Sequence, residues 1–373
     1  ATSTGSLGNV NNRIVLNGGY LEAPMVWSGN PHLGVIWPTT DRLLESRTIE
    51  LGALGGGIGI VDAYYRQVYI YAKITGPGMF YSDDRSESNG SADIWVMNPN
   101  NDYSGGTWVK TGREMYVSAS GRLGTGDVVV DTTGVNKQGA VLNGGGGKLE
   151  LYGSDNLGPT ARLWVYYGGR VYMYSNTCNV AAIGGTGGII LGDDNDNDTT
   201  LVLGADDSSC AFYGVISEEN GTPGNGQGSL TKTGNGTFTL YNNQEYTGDT
   251  TVSDGTLCLY GSVAGDMVVD AGGTLCGRGI VGGDLTLNGT LDVELSDAFT
   301  GISVGGDATL NGQLNVTLAD GYDPPKNTEW TIIDGAATVS GTITGVSAGF
   351  NVTVDGNDVI LSNPPMGSLF MLL

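Results

Sequence analysis

Residues 282–295 read Gly-Gly-Asp-Leu-Thr-Leu-Asn-Gly-Thr-Leu-Asp-Val-Glu-Leu, and residues 305–318 repeat the phrase as Gly-Gly-Asp-Ala-Thr-Leu-Asn-Gly-Gln-Leu-Asn-Val-Thr-Leu. Between the glycine turns, apolar residues occupy every second position, which is typical of strands with one buried and one exposed face. Short strands that return after 23 residues describe one coil of a β-solenoid, whose coils hydrogen-bond along the axis and share a stacked core. The phrase therefore predicts an all-β solenoid.

A longer phrase also occurs twice, 143 residues apart. The first copy starts at Tyr103 and ends in residues 126–131, and the second starts at Tyr246 and ends in residues 265–270. Self-similarity of this kind is the mark of a repeat architecture. An identical register in the two copies would place Glu114 of the first copy in the core, so we expect a bulge there.

The composition favours an all-β protein and excludes several other classes. Glycine accounts for 65 of 373 residues, and no segment of ten or more shows clean helical periodicity, so we expect little or no helix. The net charge is −23; residues 1–170 carry −2 of it and residues 171–373 carry −21. Such a surface is a poor partner for nucleic acid. The sequence contains no run of 18 apolar residues, so it predicts no transmembrane helix.

Two of the four cysteines end the same short phrase, Gly-Thr-Leu-Cys, at Cys258 and again 18 residues later at Cys276. Equivalent positions on neighbouring coils are about 4.8 Å apart, a Cα–Cα distance that a disulfide tolerates. We predict a Cys258–Cys276 disulfide, with two stacked thiols as the alternative. Cys178 and Cys210 are 32 residues apart and can pair only if a loop is inserted between their coils. The even number of cysteines in an exported chain favours this second bond.

The segment 228–240 resembles the opening of the passenger-associated transport repeat, also called the autotransporter-associated β-strand repeat. Residues 246–257 and 272–275 resemble its continuation, and the first copy, residues 74–131, resembles it more loosely. The resemblance implies a right-handed parallel β-helix displayed outside a Gram-negative-type bacterium, at the cell surface or in the medium. It also implies that the repeat is scaffold and not an active site.

The repeats suggest four segments. These are the N-terminal coils in residues 1–74, the first repeat unit with its following coils in residues 75–227, the second repeat unit with the C-terminal coils in residues 228–363, and an apolar tail in residues 364–373.

The densest group of oxygen donors lies between residues 193 and 198. Calcium takes six to eight oxygen ligands, so this group is a candidate calcium site. The alternative is a solvated turn. No other motif requires a cofactor. The candidate ligands are Asp193, Asp194, Asp196 and Asp198.

Tyrosine is concentrated in residues 64–71 and 166–174. Carbohydrate-binding surfaces use exposed aromatic rings, so Tyr69 and Tyr172 are candidate glycan contacts. The alternative is an aromatic ladder in which rings of neighbouring coils pack against each other.

After a double proline, the C-terminal tail is almost entirely apolar. An apolar segment of strand length can enter a neighbouring subunit as an added strand or can cap its own last coil. It can also be the remnant of a longer precursor or of a sorting signal. We expect the first of these, with the tail as a subunit interface. The interface residues are Met366, Leu369, Phe370, Met371, Leu372 and Leu373.

The sequence therefore favours an exported structural protein that assembles with its own copies, head to tail, into an extracellular filament or surface layer. The ends of a solenoid carry unpaired backbone groups, and a head-to-tail contact that does not close builds a filament. An adhesin that binds glycans is the alternative. An enzyme is disfavoured, because only Lys232, Arg278 and Lys326 are basic after position 170 and no acid–base pair converges.

Overall fold

The computed structural model describes residues 13–23, 47–60, 66–82, 92–110, 114–131, 147–192, 197–218, 226–347 and 349–363. Two compact units form: the first comprises residues 1–206 and 213–228, and the second comprises residues 207–212 and 229–373. All the regular secondary structure in the described residues is β-strand, so the expectation of little or no helix is confirmed.

The first unit contains nineteen of the described strands. They are β1 (Ile14–Leu16), β2 (Gly19–Ala23), β3 (Thr48–Leu51), β4 (Gly56–Ile60), β5 (Arg66–Ile70), β6 (Lys73–Thr75), β7 (Phe80–Ser82), β8 (Ala92–Val96), β9 (Thr107–Val109), β10 (Glu114–Val117), β11 (Val128–Val130), β12 (Lys148–Leu151), β13 (Arg162–Val165), β14 (Arg170–Met173), β15 (Thr177–Val180), β16 (Ala182–Gly185), β17 (Gly188–Leu191), β18 (Thr199–Leu203) and β20 (Val215–Glu218).

The remaining described strands build the second unit. They are β19 (Cys210–Phe212), β21 (Gly228–Lys232), β22 (Thr237–Leu240), β23 (Thr250–Leu259), β24 (Ser262–Val263), β25 (Met267–Gly277), β26 (Ile280–Val281), β27 (Leu285–Leu287), β28 (Thr290–Leu295), β29 (Ile302–Val304), β30 (Ala308–Leu310), β31 (Gln313–Leu318), β32 (Glu329–Asp334), β33 (Val339–Gly341), β34 (Asn351–Asp355) and β35 (Asp358–Ser362).

The first unit is a stack of parallel coils. Seven strands form one sheet in the order β20-β17-β14-β12-β10-β8-β5, and a second sheet runs along another side through β2, β4, β7, β9, β11, β13 and β16. Pairing is parallel, as expected when each strand hydrogen-bonds to its equivalent in the next coil. The inward residues alternate with outward ones, and Ile70, Ile94 and Met115 are at most 1% exposed.

The second unit repeats this architecture with shorter coils. The long strand β23 pairs along its length with β25. β25 pairs in turn with β27 and β28 of the next coil, and these pair with β30 and β31. Inward leucines from successive coils lie in register and are at most 1% exposed. These are Leu257, Leu275, Leu291 and Leu314. The 23-residue repeat is therefore confirmed as one coil stacked on the next, and the chain folds as an all-β parallel β-helix.

One sheet of the second unit ends differently. It runs in the order β24-β26-β29-β32-β35-β34, and its last two pairings, β32 with β35 and β35 with β34, are antiparallel. This sheet therefore ends in a β-hairpin formed by β34 and β35, and not in a further coil. β34 is the edge strand, and Val354 in it is 53% exposed.

Glu114 lies on the outside of the first unit. It begins β10 with a half-buried side chain and lies opposite Lys148 in β12. The two repeat copies therefore diverge after residue 112, since β10 joins the seven-stranded sheet whereas residues 256–258 continue β23. The sequence predicts a bulge at Glu114, but from Glu114 to Val117 β10 pairs with β8 and β12 without a register shift; residues 111–113 lie outside the described residues.

Candidate functional surfaces

Both repeat copies bury their first tyrosine in the same way. The hydroxyls of Tyr103 and Thr107 lie 2.6 Å apart, and those of Tyr246 and Thr250 lie 2.6 Å apart. Both tyrosines are fully buried, and burial raises the pKa of Tyr103 to about 12. A buried hydroxyl that finds a partner inside the same repeat anchors the turn between strands. This contact belongs to the scaffold and carries no chemistry of its own.

A second buried polar group in the repeat is Lys232. Its Nζ donates to the backbone oxygens of Thr233, Gly234 and Asp254 at 2.7, 2.8 and 3.2 Å. Burial lowers the pKa of this lysine. Since Lys232 is only 1% exposed and its ammonium donates to backbone carbonyls of two coils, it holds the coils together and is not a surface charge.

The predicted disulfide is present. Cys258 and Cys276 are bonded, with their Cα atoms 4.4 Å apart and in register between β23 and β25. The bond lies on the outer face of the sheet and joins consecutive coils.

The pairing of Cys178 with Cys210 is wrong, because both residues keep their thiols. Cys178 points inward from β15 opposite Leu201, whereas Cys210 is half-buried in β19 opposite Phe238. Burial raises the pKa of Cys178 to about 11. The register of each strand therefore gives each thiol a different stacking partner.

An aromatic ladder covers the outer face of the seven-stranded sheet in the first unit. The rings of Trp95 and Tyr116 stack with centroids 4.5 Å apart and planes 8° apart, and Tyr69 stacks on Trp95 at 5.7 Å. Tyr152 lies 5.0 Å from Tyr174 and extends the ladder. The ladder comprises Tyr69, Trp95, Tyr116, Tyr152, Tyr172 and Tyr174.

A charged network lies beneath the ladder. The Nζ of Lys148 is 2.6 Å from Glu150 and 3.8 Å from Glu114, and the hydroxyls of Tyr152 and Tyr116 donate to Glu150 and Glu114 respectively. Burial alone would lower the pKa of Lys148. The hydrogen bond to Glu150 and the negative charge of that carboxylate outweigh burial, so the pKa of Lys148 is raised. The ammonium of Lys148 offsets one of the two negative charges and, with the two tyrosine hydroxyls, satisfies the carboxylates, so the network stabilises the ladder.

The two tyrosines predicted to contact glycans, Tyr69 and Tyr172, are both members of this ladder. A sugar stacks on an aromatic ring only where a ring face is open. One face of Tyr69 packs against Trp95, and the ammonium of Lys148 lies 4.7 Å from the ring centroid of Tyr172. The structure thus has the stacked arrangement that was the alternative, and glycan contact by these two residues stays a prediction.

Three of the four predicted calcium ligands, Asp193, Asp194 and Asp196, lie outside the described residues. The fourth, Asp198, is exposed, and its carboxylate accepts the backbone N–H of Gln227 at 2.7 Å. The described residues contain no group of three or more side chains arranged to hold a metal. Calcium binding here stays a prediction.

A groove interrupts the outer face of the second unit. Its cavity has a volume of about 340 Å³, and its floor includes the Cys258–Cys276 disulfide, Tyr260, Arg278, Asp292 and Glu294. Residues 296–300 form one wall. The sequence does not predict this groove, although Arg278 is one of the three basic residues after position 170. The strand register places Arg278 beside two carboxylates, and that register cannot be read from the individual residues.

The proposed interface residues Met366 and Leu369–Leu373 lie outside the described residues. No membrane-crossing helix occurs in the part of the chain that the structure describes.

Comparison with known families agrees with the repeat architecture. The passenger-associated-transport-repeat model matches residues 92–113 and 230–258. Each of these two stretches overlaps one of the two copies described above, so the chain carries this repeat twice. The repeat belongs to the passenger domains of autotransporters, which implies an extracellular or surface location in Gram-negative bacteria. No curated protein matches the chain.

Proposed function

We propose that this chain is an exported structural protein whose copies assemble head to tail into an extracellular filament or surface layer. The observation that carries the proposal is the combination of a passenger-type repeat with a stacked-coil fold whose sheet ends in an open edge. The buried polar groups of the repeat support a structural role, since Lys232, Tyr103 and Tyr246 serve the scaffold.

The edge strand β34 is the proposed contact surface on the second unit. β34 pairs only with β35 among the described strands, and its residues are mostly exposed. An edge of this kind offers backbone N–H and C=O groups to another strand. Addition of an extended segment to a sheet edge gives affinity through main-chain hydrogen bonds. The apolar tail of a neighbouring copy, residues 366–373, is the proposed added strand.

Electron microscopy of the purified full chain tests the assembly. We expect filaments or sheets, and we expect deletion of residues 366–373 to abolish them while the circular dichroism spectrum keeps its β character. Polymers that persist in the deletion variant would remove the tail from the mechanism. A full chain that stays monomeric at every concentration would overturn the assembly itself.

A point substitution tests the edge separately. Val354→Lys places a charge on the exposed edge strand and is expected to block strand addition, because lysines on edge strands discourage pairing. Ile280→Lys is the matched control: Ile280 is 51% exposed in the same sheet, but β26 is paired on both sides. Loss of polymers in the control as well would show that charge alone, and not the edge, is responsible.

A further inference from the structure

The groove of the second unit exists because one coil is longer than the coils before it. Two residues separate β23 from β24 and β25 from β26, whereas residues 296–301 separate β28 from β29. This longer turn projects beyond the shorter turns of the preceding coils and forms a step, with Phe299 in the wall. The resulting cavity of about 340 Å³ is in the size range of small-molecule sites.

Two of the charged side chains that line the groove make no ion pair or hydrogen bond with the other described residues. Among the described residues Arg278 makes no ion pair; its guanidinium lies 5.8 Å from the ring centroid of Tyr260. Glu294 is exposed and accepts no hydrogen bond from the described residues, whereas Asp292 is held by the amide of Asn315 at 2.7 Å. A guanidinium and two carboxylates thus face one cavity without neutralising each other.

We propose that this groove binds a neutral saccharide, a ligand that the assembly function does not require. Planar polar side chains can each contact two neighbouring sugar hydroxyls: the Arg278 guanidinium donates in a fork geometry, and the carboxylates of Asp292 and Glu294 accept. Phe299 and the disulfide provide an apolar contact for the sugar ring. The mixture of a few convergent polar groups with apolar surface is typical of a small-molecule site.

Charge selects the class of saccharide. Two carboxylates against one guanidinium leave the groove acidic, and the half of the chain after position 170 carries a net charge of −21. Uronic acids and sulfated sugars are therefore repelled. A neutral hexose or N-acetylhexosamine satisfies the donors and the acceptors together.

Isothermal titration calorimetry of the full chain tests the site with defined probes: glucose, galactose, mannose, N-acetylglucosamine and their trisaccharides, with galacturonic acid as the anionic counterpart. We expect at least one neutral probe to bind and galacturonic acid to bind at least about 10-fold more weakly. Arg278→Ala and Glu294→Gln should each weaken that binding about 10-fold or more, because each removes a hydrogen bond that involves a charged group.

Two control variants separate this site from other surfaces. Thr309→Ala changes an outward residue elsewhere on the second unit and should bind as the wild type does. Tyr172→Ala changes the aromatic ladder of the first unit and shows whether the glycan contact predicted there contributes. Thermal unfolding of every variant checks that the fold is intact. The proposal is overturned if no neutral probe binds, if galacturonic acid binds more tightly than the neutral probes, or if Tyr172→Ala abolishes binding while Arg278→Ala and Glu294→Gln do not.

Discussion

At the scale of single residues, the polar groups that this chain buries are matched to partners a few positions away. Tyr103 and Tyr246 begin the two copies of the long repeat, and each meets a threonine hydroxyl four residues later. The sequence marks both tyrosines as equivalent through their place in the repeat. It does not reveal that the hydroxyl points inward, because that depends on the path of the turn and not on residue type.

Removing one of these hydroxyls should destabilise the fold. In Tyr246→Phe the hydroxyl of Thr250 is left in a fully buried position without its partner, and an unsatisfied buried group costs about 1–3 kcal/mol. Urea unfolding measures the loss. Tyr260→Phe is the control, since Tyr260 is 43% exposed and its variant should unfold with the wild type. Equal stability of the two variants would contradict the role of the buried pair.

The same burial predicts a loss of stability in alkali. Burial raises the pKa of Tyr103 to about 12, and the pKa of Tyr246 is raised too. In the unfolded chain tyrosine ionises near pH 10, so between about pH 10 and 12 the folded state binds more protons and stability falls as pH rises. Each tyrosine contributes a slope of up to about 1.4 kcal/mol per pH unit there and none below pH 10.

Urea unfolding between pH 9 and 11.5 measures this slope. The double variant Tyr103→Phe, Tyr246→Phe should be less stable at pH 9 but should lose less stability above pH 10 than the wild type. Parallel curves for the two proteins would show that these hydroxyls do not titrate as their burial requires.

At the scale of strands and turns, stacking requires that coils approach more closely than side chains allow. Gly312 lies in the turn between β30 and β31, and a Cβ at this position would be 2.0 Å from the backbone oxygen of Gly289 in the preceding coil. Ordinary side chains have no room there, which explains why Asn-Gly returns at both positions of the 23-residue repeat.

Gly312→Ala should therefore push two coils apart. Overpacking of this kind costs about 1–3 kcal/mol, and we expect a lower melting temperature and faster hydrogen exchange in β28 and β31. Gly188→Ala is the matched control, because a Cβ there would meet the side chain of Ile190 at an ordinary 3.9 Å. An unchanged melting temperature in Gly312→Ala would mean that the turn moves freely.

The disulfide adds a covalent link to one pair of coils. Closing a loop of 18 residues between Cys258 and Cys276 restricts the unfolded chain, and bonds that close loops of this length stabilise proteins by about 3 kcal/mol. Reduction should lower the unfolding midpoint of the wild type, whereas the Cys258→Ser, Cys276→Ser variant should be equally stable with and without reductant. A midpoint that reductant does not shift would show that the bond contributes nothing measurable.

How far these elements could be predicted depends on the regularity of the coils. Cys258 and Cys276 recur after 18 residues within one phrase, so their register and their bond followed from the sequence. Cys178 and Cys210 belong to coils of unequal length, where no phrase repeats, and their predicted bond was wrong. The groove escaped prediction for a similar reason, since it arises from a difference between coil lengths and not from a motif.

At the scale of the whole molecule, the charge that keeps copies soluble also opposes their assembly. Asp266, Asp284 and Asp307 occupy the same corner of three successive coils, and each of the first two carboxylates accepts the backbone N–H of the next aspartate at 2.8 and 2.7 Å. These bonds align like charges along the outside of the second unit. The whole chain also carries a net charge of −23. Electrostatic repulsion between copies is therefore the main contribution to the free energy of assembly that salt can change.

Salt should therefore promote the proposed assembly. The Debye length falls from about 30 Å at 0.01 M to about 10 Å at 0.1 M ionic strength, which screens repulsion between acidic surfaces while leaving apolar and main-chain contacts in place. We expect the protein concentration at which polymers appear, measured by light scattering and sedimentation velocity at pH 7, to decrease as sodium chloride rises from 10 to 300 mM. Sucrose at matched osmolality is the control and should have a much smaller effect. Polymers that dissolve as salt increases would show instead that oppositely charged patches hold the copies together, which the acidic second unit does not offer.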